Sequence, residues 1–544
     1  MKLNKELLED FDYNEKYNGF HNALGLYDTM QFVLRLRTDI HNKVNLLATG
    51  IVKNEMDFDN LQAYSTYLHE TIHWWQHIGS TSGLILSLSY PMQTHLNKPF
   101  LEDFIKNTGK IKSIEKYNRL YATEFDPNLQ NTEFNTINFI LNNFFDIEFF
   151  KHITINPKNI KEIINDKYFE SIGNSFYVTY SAFINLLASC FDTNFSFLPN
   201  LEKWEKEFSK LNKNKIPGHY YGSDIHIAPF GLKEIYEGQA HFTQIQFLYF
   251  ASNKNLTWDD FKNLGMLSGV YFEAFKCFLE ILKEDIPETI DNPLVGLFLL
   301  VCDISINPGE GFPNEIQDFE QFIKNTDPGN RFIRLCKTIK KDFPEVKYQI
   351  IDYSSAEYFS ISLKLCNSIN IPTPMEISEK INTWSSSIQS IIKLMEEEKE
   401  FTFEEGNFPI RLIFSRFIKF QQDKLKNPAF FCWSGVYKTI YSNNPSSEEL
   451  FNEHQALFID GIDADIYPRI LPNKAELNIS NTMDKFYSWI TLYNLTRQWI
   501  INEGEFKYDY LWLTSKFPQN EIEKWAKEPF KLLFNCSPDE FKYI

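Results

Sequence analysis

The sequence predicts a mainly α-helical fold with a small β-sheet (α+β), and three observations predict it. Apolar residues recur at helical spacing through most of the 544-residue chain. Strand signals are confined to short runs within residues 30–52 and around 457–471. Hydrophobic residues make up 43% and aromatics 16%, with 51 Phe, which can fill large cores and does not resemble disorder.

Taken in order, "MQFVLRLR" (Met30 to Arg37) alternates apolar and polar side chains, and "VNLLATGIV" (Val44 to Val52) is rich in β-formers. The polar "TDIHNK" between them predicts a hairpin or two adjacent strands. Asp57 and Asp59 are N-cap candidates for the helix that follows. In it Leu61, Tyr64, Leu68, Ile72, Trp75 and Ile78 mark one apolar face, and continuation to Tyr90 before Pro91 fits the pattern. Residues 100–210 read as several helices. A polar Pro/Gly stretch, Asn212 to Asp224, precedes a helix from about Leu232 to Phe250. Further helices are expected over 258–284 and 293–306, the last with Asn292 as cap and Pro293 in its first turn. "NPGEGFPNE" (Asn307 to Glu315) is the best boundary candidate, and the chain beyond it reads as mostly helical. The length predicts more than one domain.

A formal charge of −18 repels phosphate backbones, and no Lys/Arg cluster interleaved with aromatics offsets it. Nucleic-acid binding is therefore not expected. Seven cysteines with no C-x-x-C spacing read as reduced thiols. The first residues lack an apolar signal segment, and the longest apolar run, Leu294 to Cys302, is about half a membrane span. A cytoplasmic protein without membrane contact is expected.

The chemistry lies in "YLHETIHWWQHIG" (Tyr67 to Gly79), where His69-Glu70-Thr71-Ile72-His73 is H-E-x-x-H. Residues four apart share a helix face, so two imidazoles can reach one Zn²⁺ at roughly 2.0–2.1 Å. Glu70 flanks that face as a general base that takes a proton from activated water and passes it to the leaving group. His77 extends the row, but lies about 12 Å from His69 along the axis, too far for one ion. It reads as a partner of a ligand or a surface residue. The metzincin pattern fails, because its Gly position is Gln76 and its last His position is Gly79.

These residues resemble a zincin metallopeptidase of the gluzincin type, whose third ligand is a glutamate on a later helix, often in an E-G-x-A context. "LKEIYEGQAHFTQ" holds Glu237-Gly238-Gln239-Ala240. The resemblance implies Glu237 as third ligand, with Gly238 and Ala240 letting its helix approach the motif helix. Glu237 lies 164 residues after His73, which departs from the shorter familiar spacing and requires a helical insertion, about 91–230. Nearer carboxylates, Glu102, Asp103, Glu115 and Glu124, lack the small-residue context.

Glu234, Glu237, His241 and Gln244 form a polar stripe on that helix. His241 is a candidate to stabilise the oxyanion, with Tyr220, Tyr221 and His226 as rivals. Glu234 is an alternative ligand or could orient a zinc histidine. Asp303, alone in an apolar helix, either accepts the N–H of a zinc histidine or pairs with Arg or Lys near the helix end. Walker-type loops, G-x-G-x-x-G after a strand and deaminase patterns are absent, and "GSTSG" centres on Thr81, not Ser.

The expectation is a zinc-dependent metallopeptidase: a zincin-like catalytic unit over 1–310 and a mostly helical region over 311–544. A strand from residues 30–52 would align a peptide or protein substrate, and a regulatory protein partner would restrain cytosolic proteolysis. The rival readings are a zinc hydrolase of a small amide or ester, and a non-catalytic interaction protein with a vestigial metal site.

Overall fold

The helix bearing the histidines runs Phe58–Gly79, with Asp59 in its first turn at the positive end of the helix dipole. The computed structural model describes residues 3–5, 32–48, 58–121, 132–224, 227–439, 445–463 and 465–544. From Thr71 to Gly79 every residue is buried. This half is enclosed all round, not amphipathic. The elements packed on this helix are Thr38–Ala48 just before it and, from far along the chain, Leu232–Ala251 and Phe408–Lys426. Trp75 illustrates the enclosure. Its ring sits among Phe420, Phe430, Phe431 and Phe451 at centroid separations of 5.2–6.1 Å. Its indole N–H donates to the His454 carbonyl at 2.7 Å.

The motif helix does not continue to Tyr90. Ser80 ends it by accepting the Gly83 amide at 2.9 Å, which starts a new short helix, Thr81–Ser87. Pro91 then lies in the first turn of the helix Ser89–Asn107, where a missing N–H costs nothing. The reversal presses Gly83 onto the turn before it: a Cβ there would stand 2.0 Å from the Gln76 carbonyl oxygen. Backbone cannot swing aside as a side chain can. Gly83→Ala is expected to destabilise the fold by about 1–3 kcal/mol, read as a lower denaturant midpoint at unchanged slope.

The hairpin expected over 30–52 is not formed. Val44 to Ala48 belong to the helix Thr38–Ala48, and residues 30–31 and 49–52 lie outside the described residues. Ile40 and Val44, one turn apart, both pack on the core, so the helical period outweighs β-propensity. Leu34 instead makes an isolated bridge to Ile459. The strand pair among the described residues that the sequence did signal is Phe458–Asp460 with Ile466–Pro468, antiparallel with Ile459 opposite Tyr467. A second, parallel pair joins Ile111–Lys112 to Lys542–Tyr543. Sheet structure therefore comes largely from the end of the chain, and Leu34 already has a strand partner where a substrate was expected to pair.

The stretch between the motif and Glu237 is helical, as expected. Ser89–Asn107, Thr132–Ile155 and Ile172–Phe191 pack on one another. Leu232–Ala251 follows, then Trp258–Asn263, Val270–Leu282 and Pro293–Ile306, the last capped by the Asn292 side chain on the Leu294 amide. One continuous apolar core extends from Phe32 to Phe541, and residues on both sides of Asn307 share it. Glu476–Ile501 packs back onto Ser89–Asn107. The molecule is mainly helical. All seven cysteines are free thiols. Among the described residues, no helix is long and apolar enough to cross a membrane.

Candidate metal centre

His69 and His73 project from one face of the motif helix toward Leu232–Ala251, which supplies Glu237. The three side chains are 6%, 1% and 0% exposed. Their nearest atoms form a triangle: His69 Nε2 to His73 Nε2, 3.1 Å; His73 Nε2 to Glu237 Oε2, 3.4 Å; His69 Nε2 to the same oxygen, 3.6 Å. Four ligands at 2.0–2.1 Å from one zinc stand about 3.3–3.4 Å apart in a tetrahedron. The triangle has the size of one tetrahedral face, so these residues fit a single metal ion. Among the described residues this is the one cluster of His, Cys, Asp and Glu that could hold one.

The electrostatics agree. Both Glu237 oxygens are buried without a hydrogen-bond partner, a costly state for an anion unless a cation sits beside it. Burial works to raise the Glu237 pKa, but the two histidines outweigh it and hold the carboxyl near 2. Burial likewise works against a charged His73, but Glu237 outweighs it and lifts that imidazole to about 9. Metal-free His73 is therefore protonated at neutral pH, and a metal must displace that proton. Apparent metal affinity is expected to fall about tenfold per unit as pH drops below about 9. Chelator competition at several pH values checks the slope.

Glu70 is half-buried beside the pair. Burial raises its carboxyl pKa, His69 and His73 pull it down, and Glu237 and Asp460 push it up, leaving it above the ordinary value. Asp460 comes from the C-terminal strand pair and also lines a cavity of about 590 Å³ with His41, Ile459, Tyr467 and Arg469.

The remaining candidates are dispersed. His241 lies near the triangle, its ring 6.1 Å from that of His69, but its Nε2–H is spent on the Met266 carbonyl. It cannot offer that proton to an oxyanion. Glu234 is not a ligand: it accepts the Gly231 amide at 3.0 Å, capping its helix, and pairs with Lys158 at 2.9 Å. Asp303 reaches no histidine. It pairs with Lys424 at 2.6 Å and accepts from the Tyr358 hydroxyl, the lysine partnership being the one the sequence allowed. His77 is buried rather than on the surface, edge-on to Tyr236 at 5.4 Å, and desolvation holds its pKa down at about 3. Tyr220 lies against Lys215, Tyr221 is 78% exposed, and no contact described joins either to the triangle. His226 lies outside the described residues. Gly238 does not face the motif helix; its Cβ position meets Phe298 and Ala274 at 3.2 and 3.3 Å.

Two neighbours escaped sequence reasoning. Tyr271 packs its ring 4.8 Å from His241 and 6.1 Å from His69. Nothing in its local sequence marks it, because a different helix delivers it. Gln76 bonds His73 Nδ1 at 2.8 Å. Its signal was its position, three residues after His73 on the same helix face. No family model, curated protein or solved structure matches the chain.

Proposed function

We propose that the chain is a zinc-dependent hydrolase, most simply a metallopeptidase. The observation that carries this is the His69–His73–Glu237 triangle at tetrahedral spacing, with Glu70 beside it. Two imidazoles and one carboxylate are a zinc donor set that leaves a fourth position for water or substrate. A bound zinc supplies Lewis-acid polarisation of a carbonyl and a lowered pKa for water. Glu70, its pKa raised by burial above the ordinary carboxyl value, takes the proton from the attacking water and delivers it to the leaving nitrogen. Asp460, whose charge acts on Glu70, also lines a cavity of about 590 Å³.

The zincin resemblance points to a peptide or protein substrate. Burial of all three ligands favours narrow access, so a small amide or ester is the second substrate class. Seven free thiols fit a reducing cytoplasm, where such a peptidase needs narrow specificity or a regulatory protein. The test is a zinc-loaded, purified chain incubated with a peptide library and with small amides and esters, with new termini or products read by mass spectrometry. Turnover that chelation abolishes and zinc restores is expected. A loaded chain that cleaves nothing in either set overturns the proposal.

A further inference from the structure

Gln76 occupies an unusual place. It is 3% exposed, on the motif helix, with the Glu237 helix directly opposite. Its amide nitrogen donates to the Tyr236 carbonyl at 2.9 Å and to Gln239 Oε1 at 3.0 Å. Both partners flank Glu237 in sequence. A backbone carbonyl can only accept, so the Tyr236 contact fixes which end of the amide is nitrogen. The oxygen must then face His73 Nδ1, 2.8 Å away. That oxygen can only accept, so His73 must carry a proton on Nδ1. Its Nε2 lone pair is left for the triangle.

We propose that Gln76 is the positioning residue of this metal site. It holds His73 in the Nδ1–H tautomer and ties the two ligand-bearing helices together one residue from Glu237. The inference rests on the zinc reading above. A carboxylate or main-chain carbonyl commonly takes this place beside a metal histidine. Here the neutral amide adds no charge, and its second end reaches the other ligand helix. Gln76 and Gln239 also line a small cavity, about 20 Å³, with Asp303, Asn307 and Lys424. Asp303 thus lies across that cavity from the residue that orients His73, rather than on the histidine itself.

The test compares the parent with Gln76→Leu, which removes both the acceptor and the N–H donor, and Gln76→Glu, which keeps the acceptor but loses the donor to Tyr236. Zinc affinity is read by competition with a chromophoric chelator. Gln76→Leu should bind zinc about 10–100-fold more weakly, and Gln76→Glu should fall between it and the parent. The second readout needs no metal. With ¹⁵N-labelled histidine, above the His73 pKa, the parent should show the Nδ1–H tautomer at His73, and Gln76→Leu should lose that preference. The His73 signal is assigned by its loss in His73→Gln. Equal affinity and an unchanged tautomer in Gln76→Leu would overturn the role of Gln76 while leaving the zinc site intact. If Gln76→Leu does not fold, Gln76→Glu decides by the tautomer readout, and loss of the Nδ1–H tautomer at His73 although the acceptor is retained rejects the proposal. A parent that binds no zinc rejects the zinc reading itself.

Discussion

Glu237→Ala is expected to weaken zinc binding by more than about 100-fold, since loss of an outer partner alone typically costs 10–100-fold and the proposed site makes Glu237 a direct ligand. The argument is geometric first. Glu237 Oε2 stands 3.6 and 3.4 Å from the two imidazole nitrogens, at one corner of a tetrahedral face. It is electrostatic second, because Glu237 is the only negative ligand of the three. Without it, two neutral imidazoles would face a divalent ion in a buried site with no compensating charge. Glu234→Ala is the control. That residue lies one turn away on the same helix but caps it and pairs with Lys158, so its removal should leave zinc stoichiometry at the parental value. Equilibrium dialysis with zinc quantified by atomic emission separates the two glutamates. A Glu237→Ala chain that binds as the parent does would remove the three-ligand site, and with it the reading of the motif as catalytic.

The pair His69 and His73 was legible because the helical period alone puts residues four apart on one face. Glu237 was not legible that way. It came from resemblance, and the glycine beside it turns out to serve another contact: Gly238 admits Phe298 and Ala274, while the motif helix is met by Gln239. Helices with a clear cap and period, such as Pro293–Ile306, fall where the sequence puts them. The hairpin at 30–52 failed because a short apolar run has no period long enough to tell strand from helix, and the deciding contacts come from over 400 residues away, as His41 and Leu36 both bond Asp460. Sequence distance also hid Gln76, whose meaning depends on the carbonyl of Tyr236, 160 residues on, and Asp460, whose charge reaches Glu70 from the C-terminal strands.

Glu70→Gln should lower kcat about 10²–10⁴-fold, the usual worth of a positioned general base. Zinc content should stay unchanged, because Glu70 is not in the triangle. Stability supplies the sharper discrimination. The folded-state pKa of Glu70 is raised, so the folded chain holds that proton more tightly than the unfolded chain does. Stability from this group is therefore present below the unfolded pKa and is lost as pH rises through the folded pKa. Above its unfolded pKa this carboxyl is a burden on the metal-free fold, and a neutral amide of the same shape relieves it. Metal-free Glu70→Gln should consequently melt at the same temperature as the parent or higher, with the gain vanishing at pH near 4. A residue that raises activity while lowering stability is behaving as a reactive group, not as a structural one. A variant that loses stability at neutral pH and keeps its turnover would reverse both halves of this argument. It would leave Glu70 as a structural residue and place the general base elsewhere.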